Sequence, residues 1–288
     1  MCPVVLSGGT VQTAGSAEQL LDAKIIGTIP HEKQLGLWLR GSRRNKKVLH
    51  VTSPNVSFAF AEAIHRTASK FEQEKGKGSS VFLLTSVSES EGKSTVAANV
   101  ALSLAQKKAK VLLIDLDLRR PVQAKNLHLI PQPEEELGAL LAAEASPETM
   151  LSLVKTEPIT GLQALLSCQS YKKTVELISS ENLKELVRLA RSSYDYIIID
   201  LPPVGYFSES EAMLELADCS ALVVRQDVVP YPVINDNIDA LREGRAAFLG
   251  IILNDMYTMS SAVSRYGYGY GKYGYGKYGY SGSEDQGK

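Results

Sequence analysis

Five short runs of the chain are apolar without interruption: VFLL (81–84), VLLI (111–114), YIII (196–199), ALVV (221–224) and GIIL (250–253). Continuous rather than alternating hydrophobicity predicts strands covered on both faces, as in a parallel sheet. The stretches between them carry a helical period. Residues 94–107 place Val96, Val100 and Leu104 at i, i+4 and i+8. Residues 182–191 carry Leu183, Leu186, Val187 and Ala190 at helical spacing, and residues 233–245 carry Ile234, Ile238 and Leu241. Strand and helix in alternation predict a doubly wound α/β fold, with a mainly parallel sheet and helices on both faces. Ligands in such sheets bind beyond the carboxyl ends of the strands. The residues that follow each run are therefore the ones that matter for chemistry.

Outside these elements the composition changes. Residues 1–49 are mixed and turn-rich and end in a basic run, Arg40, Arg43, Arg44, Lys46 and Lys47. Residues 50–258 hold the strand–helix pattern. Residues 259–288 are Ser, Gly and Tyr with almost no aliphatic side chains. Net charge is −1, which argues against a nucleic-acid-coating protein. Cys2, Cys168 and Cys219 have no metal-type spacing and read as reduced thiols of a cytosolic protein. No apolar run approaches the ~18–20 residues of a membrane span, and the N-terminus lacks the pattern of a signal peptide. His65 reads as a surface or interface side chain, and Trp38 as a packing anchor for the N-terminal segment.

Three strand exits carry candidate chemistry. After the first run comes TSVSESEGKST (85–95), with Gly92-Lys93-Ser94 between a strand and a helix. That context suits a phosphate-binding loop, in which backbone N–H groups at a helix start face an anion. Lys93 would reach the β- and γ-phosphates and the Ser94 hydroxyl would bind Mg²⁺. The first glycine of the usual G-x-x-x-x-G-K-[ST] pattern falls at Val87, and Glu89 and Glu91 bring negative charge to the loop unless they point away. A GKS triplet also arises by chance. After the second run comes DLDLRRP (115–121): two acids at i, i+2 on an extended chain point the same way. They suit Mg²⁺–water binding or proton acceptance from a hydroxyl, the alternative being an ion pair of Asp117 with Arg119 or Arg120. After the third comes Asp200 followed by two prolines, either a second Mg²⁺ anchor or a capping strand terminator. Three exits carrying GKS, DxD and D together point to nucleotide binding.

These motifs, TSVSESEGKST, VLLIDLDLRRP and YDYIIIDLPPV, resemble the three signatures of the bacterial tyrosine autokinases that regulate exopolysaccharide and capsule assembly. That family belongs to the P-loop class that also holds the chromosome-partitioning and division-site ATPases. ELISS (176–180), ADCSALVVRQD (217–227), LGIILN (249–254) and the tyrosine-rich end follow in the family's order, and residues 53–71 look like its helix ahead of the first strand. Residues 9–30 are similar to the linker that joins the kinase to a membrane activator. The resemblance implies ATP and Mg²⁺ as cofactors, held by Ser90, Glu91, Gly92, Lys93, Ser94 and Thr95 of the loop, with Arg119 near the metal or the incoming substrate and Asn254 near the adenine. It implies catalytic roles for Lys93, Asp115, Asp117 and Asp200. Asp115 would be the general base, and Ser94, Asp117 and Asp200 would position the metal. Two departures stand out. The family often has Pro-Gly where this chain has Glu89-Ser90, and serine tolerates positive φ less well than glycine. The family's E-x-x-R-x-x-R ring motif reads Glu62, His65, Ala68 here, with Arg66 displaced by one position, or about 100° on a helix.

The stretch RYGYGYGKYGYGKYGY (265–280) holds seven of the chain's thirteen tyrosines, interleaved with six glycines and three cations. Alternating glycine gives it no side-chain set to bury, so it is expected to be disordered in isolation. The alternative is a self-associating low-complexity segment. Beside a phosphoryl-transfer site, Tyr266, Tyr268, Tyr270, Tyr273, Tyr275, Tyr278 and Tyr280 are the expected phosphoacceptors, reached in trans from a neighbouring subunit. Each phosphate would add about −1.5 to −2 charges, a switch able to release neighbours. The resemblance further implies a homo-oligomer, a transmembrane activator or fused membrane segment of the polysaccharide machinery as partner, a tyrosine phosphatase, no nucleic acid, and a place at the cytoplasmic face of the plasma membrane. Two other functions stay open from sequence: a partitioning-type nucleotide-switch ATPase, whose signature lysine would fall at Ser88, and a weakly nucleotide-binding scaffold of the same fold.

Overall fold

The structure, a computed structural model, describes residues 9–32, 48–78, 80–204 and 213–257. All of these lie in one compact unit, residues 1–257. Trp38, the basic run 40–47 and the tail tyrosines lie outside the described residues.

Among the described residues the strands are β1 (Ile25–Pro30), β2 (Val81–Ser86), β3 (Val111–Asp115), β4 (Lys155–Thr156), β5 (Gln163–Leu165), β6 (Tyr196–Asp200), β7 (Cys219–Arg225) and β8 (Ala247–Met256). The helices are α1 (Ala14–Leu20), α2 (Phe58–Lys75), α3 (Lys93–Gln106), α4 (Gln123–Leu127), α5 (Leu137–Ala142), α6 (Pro147–Ser152), α7 (Thr174–Ile178), α8 (Glu181–Ser193) and α9 (Tyr231–Glu243). The eight strands form one sheet in the order β1-β8-β7-β2-β6-β3-β5-β4. Every pair is parallel except β4 with β5.

The continuous apolar runs are explained by a core on each face. Val81, Leu83, Leu112, Ile114, Ile197 and Ile199 pack with Leu183, Leu186 and Val187 of α8 and with Ile234, Ile238 and Leu241 of α9. Their chain neighbours Phe82, Leu84, Leu113 and Ile198 pack on the opposite face with Ile64 and Phe71 of α2 and with Val96, Val100 and Leu104 of α3. Successive side chains of a strand leave on opposite faces, so a strand between two helical layers has no polar position to spare. The doubly wound α/β fold expected from sequence is the observed one.

The N-terminal zone differs from its reading as a linker. Residues 14–20 form α1, capped by Thr13, and Ile25–Pro30 is the edge strand of the main sheet, paired in parallel with β8. The β1 run IIGTIP holds a glycine and ends in proline, which weakens a strand signal, and burial along it is intermittent. Gly27 is needed for packing: a Cβ there would lie 2.4 Å from Thr67 Oγ1 of α2.

On α2, the positions of the expected ring motif turn in different directions. His65 bonds Ser103 of α3 through Nδ1 at 2.8 Å. Ala68 is fully buried, and Arg66 pairs with Glu62 on the outer face at 2.8 Å. His65 is therefore an inter-helix contact within the chain.

Candidate active site at the carboxyl ends of β2, β3 and β6

Strand β2 ends at Ser86 and helix α3 begins at Lys93, so residues 87–92 form the turn between them. Val87, at the position of the missing glycine, is buried in the core. A side chain there packs into the core. Two residues of the loop hold left-handed backbone: Ser90 at φ +65° and Gly92 at φ +86°. Ser90 thus holds a left-handed backbone, which glycine adopts without penalty, at a cost of order 1 kcal/mol. At Gly92 a side chain would be strained by the positive φ, and its Cβ would displace the Asn254 amide from the loop.

Glu91 does point away from the anion side. Its carboxylate is fully buried and accepts from the Ser88 N–H at 2.6 Å and from the Arg225 N–H at 3.3 Å. Burial raises its proton affinity, although those N–H bonds pull the other way. Its carbonyl accepts from Asn254 Nδ2 at 2.8 Å. Asn254, expected at the adenine, therefore has its amide on the loop backbone. Glu89 faces outward and pairs with the Arg120 guanidinium.

The carboxylates converge on Lys93. Asp115 and Asp200 are register partners at the ends of β3 and β6. Lys93 Nζ lies 2.7 Å from Asp117 Oδ2, 3.3 Å from Asp200 Oδ1 and 3.1 Å from Ser94 Oγ. All five side chains are buried. Burial pushes Asp115 well above the usual carboxylate range, reinforced by the adjacent Asp200, and burial raises Asp200 in spite of Lys93. Burial alone would depress the Lys93 ammonium; Asp200 and Asp117 more than offset it, and the lysine sits above its ordinary value.

Gln123, at the start of α4, ties this cluster together and had no signal in the sequence. Its N–H donates to Asp115 Oδ2 at 3.1 Å, and its side-chain amide donates to Asp200 Oδ2 at 2.7 Å and to the Ser94 carbonyl at 2.9 Å. The other Asp115 oxygen accepts the Asp117 N–H at 3.2 Å. Arg119 donates through Nε to Thr174 Oγ1 of α7 at 3.1 Å. Thr95 is half-buried in the first turn of α3, with its carbonyl on Asn99. Asp117 pairs with Lys93, and with Arg120 only through that residue's backbone N–H.

Three carboxylates around one ammonium leave an excess of negative charge, and their donors are all hard oxygens. That suits Mg²⁺, which binds through one or two carboxylates plus phosphates and water rather than in an all-protein cage. Accordingly, no group of three or more acidic, histidine or cysteine side chains forms a cage among the described residues. No helix of the described residues is long and apolar enough to cross a membrane.

The sheet order, the strand–loop–helix turn bearing Lys93 and the acids at the next strand ends define a P-loop nucleotide-binding protein. Comparison with known proteins narrows the class. Residues 90–228 match the family model described as AAA domain. The tyrosine-protein kinase YwqD of Bacillus subtilis (strain 168) is 33% identical over 229 residues, covering 80% of this chain and 93% of that protein. The succinoglycan biosynthesis transport protein ExoP of Rhizobium meliloti (strain 1021) is 29% identical over 204 residues, covering 68% of this chain but 26% of that protein. The kinase domain of the Escherichia coli tyrosine kinase ETK superposes with a TM-score of 0.71 at 22% identity, covering 86% of this chain and 95% of that one. The chain belongs to the bacterial tyrosine-protein kinases.

Proposed function

We propose that this protein is an ATP- and Mg²⁺-dependent tyrosine autokinase whose acceptors are its own C-terminal tyrosines, Tyr266 to Tyr280, presented in trans by a neighbouring copy. The observation that carries this reading is the meeting of Lys93, Ser94, Asp115, Asp117 and Asp200 at three adjacent strand ends, in a chain of this family that also holds a seven-tyrosine segment. Magnesium nucleotide, when bound, supplies the phosphoryl group and neutralises charge on it. The chain's own residues then have distinct tasks. Lys93, which lies on Asp117 and Asp200, would bind phosphate oxygens when nucleotide is present. The N–H groups at the start of α3 would face the same anion, while that of Ser88 in the loop is taken up by Glu91. Ser94, Asp117 and Asp200 fit the metal and its waters, with Gln123 fixing the carboxylate of Asp200. Asp115, whose proton affinity burial has raised, accepts the proton of the incoming phenol. A phenol of pKa about 10 needs such a base.

ExoP's part in succinoglycan transport supports the wider role proposed here: control of exopolysaccharide or capsule assembly through a membrane-bound activator or fused membrane segment, at the cytoplasmic face of the membrane, with a tyrosine phosphatase resetting the tail. Asn254 and Arg119 are proposed to act from the loop backbone and the rim respectively.

A mixing experiment tests the core of this. A variant with all seven tail tyrosines changed to phenylalanine keeps the site; Lys93→Met keeps the tail. Incubated together with Mg²⁺–ATP, the pair should yield phosphate on residues 265–280 of the Lys93→Met chain, while Lys93→Met alone yields none. Mass spectrometry that places phosphate only outside 265–280 would refute it.

A further inference from the structure

The phosphate loop is held from the side opposite the carboxylates by a chain of contacts that ends at the N-terminal edge strand. Arg225, the last residue of β7, donates through Nη1 to the carbonyl of Ser90 at 3.2 Å. The rest of its fork grips Asp255 Oδ2, with Nε at 2.8 Å and Nη2 at 2.5 Å. Asp255 in turn binds His31 Nδ1 through Oδ1 at 2.6 Å. His31 follows β1; its N–H donates to the Met256 carbonyl at 2.8 Å, and its ring stacks on Tyr257 with centroids 4.0 Å apart. Two points make this more than a surface ion pair. Asp255 itself has φ +58°, so its backbone is bent to bring the carboxylate round. And the peptide Arg225 grips belongs to the one non-glycine residue of the loop in left-handed backbone.

We propose that Arg225 is a positioning residue for nucleotide binding: it holds the Ser90 peptide in its strained conformation, so that a loop without the usual glycine still aims its N–H groups at phosphate, and Asp255 and His31 hold Arg225. The proposal rests on the nucleotide-binding reading above. A guanidinium hydrogen bond to a carbonyl is charge-assisted and stronger than a neutral one, which is what opposing a left-handed serine requires. The fork geometry matters too, because one guanidinium must serve a carboxylate and a carbonyl at once. Glycine in place of Ser90 would need no such brace. The contact therefore predicts a specific dependence between two residues rather than a general loss.

The test is a double-mutant cycle on the full chain with Arg225→Met and Ser90→Gly, read by fluorescent Mg²⁺–ADP affinity and by thermal unfolding without nucleotide. Arg225→Met alone should weaken nucleotide binding about tenfold, the scale of one charge-assisted hydrogen bond. In the Ser90→Gly background the same change should cost less than twofold. Arg225→Lys, which keeps a cation opposite Asp255 but not the fork, should fall between wild type and Arg225→Met and guards against a misfolded methionine variant. The kinetic signature is a raised KM for ATP with kcat little changed. Equal losses in the wild-type and Ser90→Gly backgrounds, in affinity and in melting temperature, would overturn the proposal. If wild type binds no nucleotide, the functional reading fails on its own, and the coupling in melting temperature still decides the role of Arg225.

Discussion

Lys93 is the residue on which most of the site depends, and its contribution to folding is separable from its chemistry. It is the one ammonium among three buried carboxylates. Removing one partner of a buried ion pair costs about 3–5 kcal/mol, because the other charge is left without compensation. Lys93→Met should therefore be destabilised, and by an amount that depends on pH. Asp115 and Asp200 are already raised by burial, and Lys93 opposes that rise in both. Without it their folded-state values climb further. The native variant then holds more protons than the unfolded chain at pH values above the ordinary carboxylate value of 3.8. Under linkage, stability falls as pH rises wherever the native state is the more protonated. The deficit in melting temperature relative to wild type should be larger at pH 8 than at pH 5; a deficit independent of pH would show that the carboxylates do not take up the released charge. Lys93 and Ser94 could be anticipated from the Gly92-Lys93-Ser94 triplet between a strand and a helix, and Asp115, Asp117 and Asp200 because each sits at a strand end or within two residues of one. Gln123 and Arg225 were not. Their roles arise from contacts such as Gln123 with Asp200, between residues that are neighbours only once the sheet has formed.

At the scale of elements, legibility followed how each strand is covered. The five runs buried on both faces declared themselves, and the helices at 93–106, 181–193 and 231–243 lie within two residues of their periodic patterns. Strands β4 and β5 have two and three residues, too few to show any period. Strand β1 was obscured by Gly27 and Pro30, and its attachment to β8 gives a sharp test. Gly250 interrupts β8 at φ +131°, beside a register shift in the pairing with β7. A Cβ there would lie 2.3 Å from the Lys24 carbonyl, which accepts the Ile251 N–H at 2.9 Å. That neighbour is backbone and cannot swing aside. Gly250→Ala should cost about 2–4 kcal/mol in urea unfolding, through positive φ and the lost approach of β1. A near-neutral result would mean that β1 contributes little to the stability of the sheet.

For the molecule as a whole, the fold gathers Lys93, Ser94, Asp115, Asp117 and Asp200 at the carboxyl ends of adjacent strands, while the proposed acceptors lie in residues 265–280, a stretch of sequence without aliphatic residues. The surplus of carboxylates over cations has an acid–base corollary. If Lys93 leaves Asp117 and Asp200 for a phosphate, the acids it abandons must be compensated from solution, by a divalent ion or by hydrogen ions. Calorimetric titrations of nucleotide in buffers of differing ionisation enthalpy should then report net uptake of hydrogen ions when Mg²⁺ is chelated, and much less when it is in excess. Uptake that is the same in both cases would mean that the lysine and the acids do not part company.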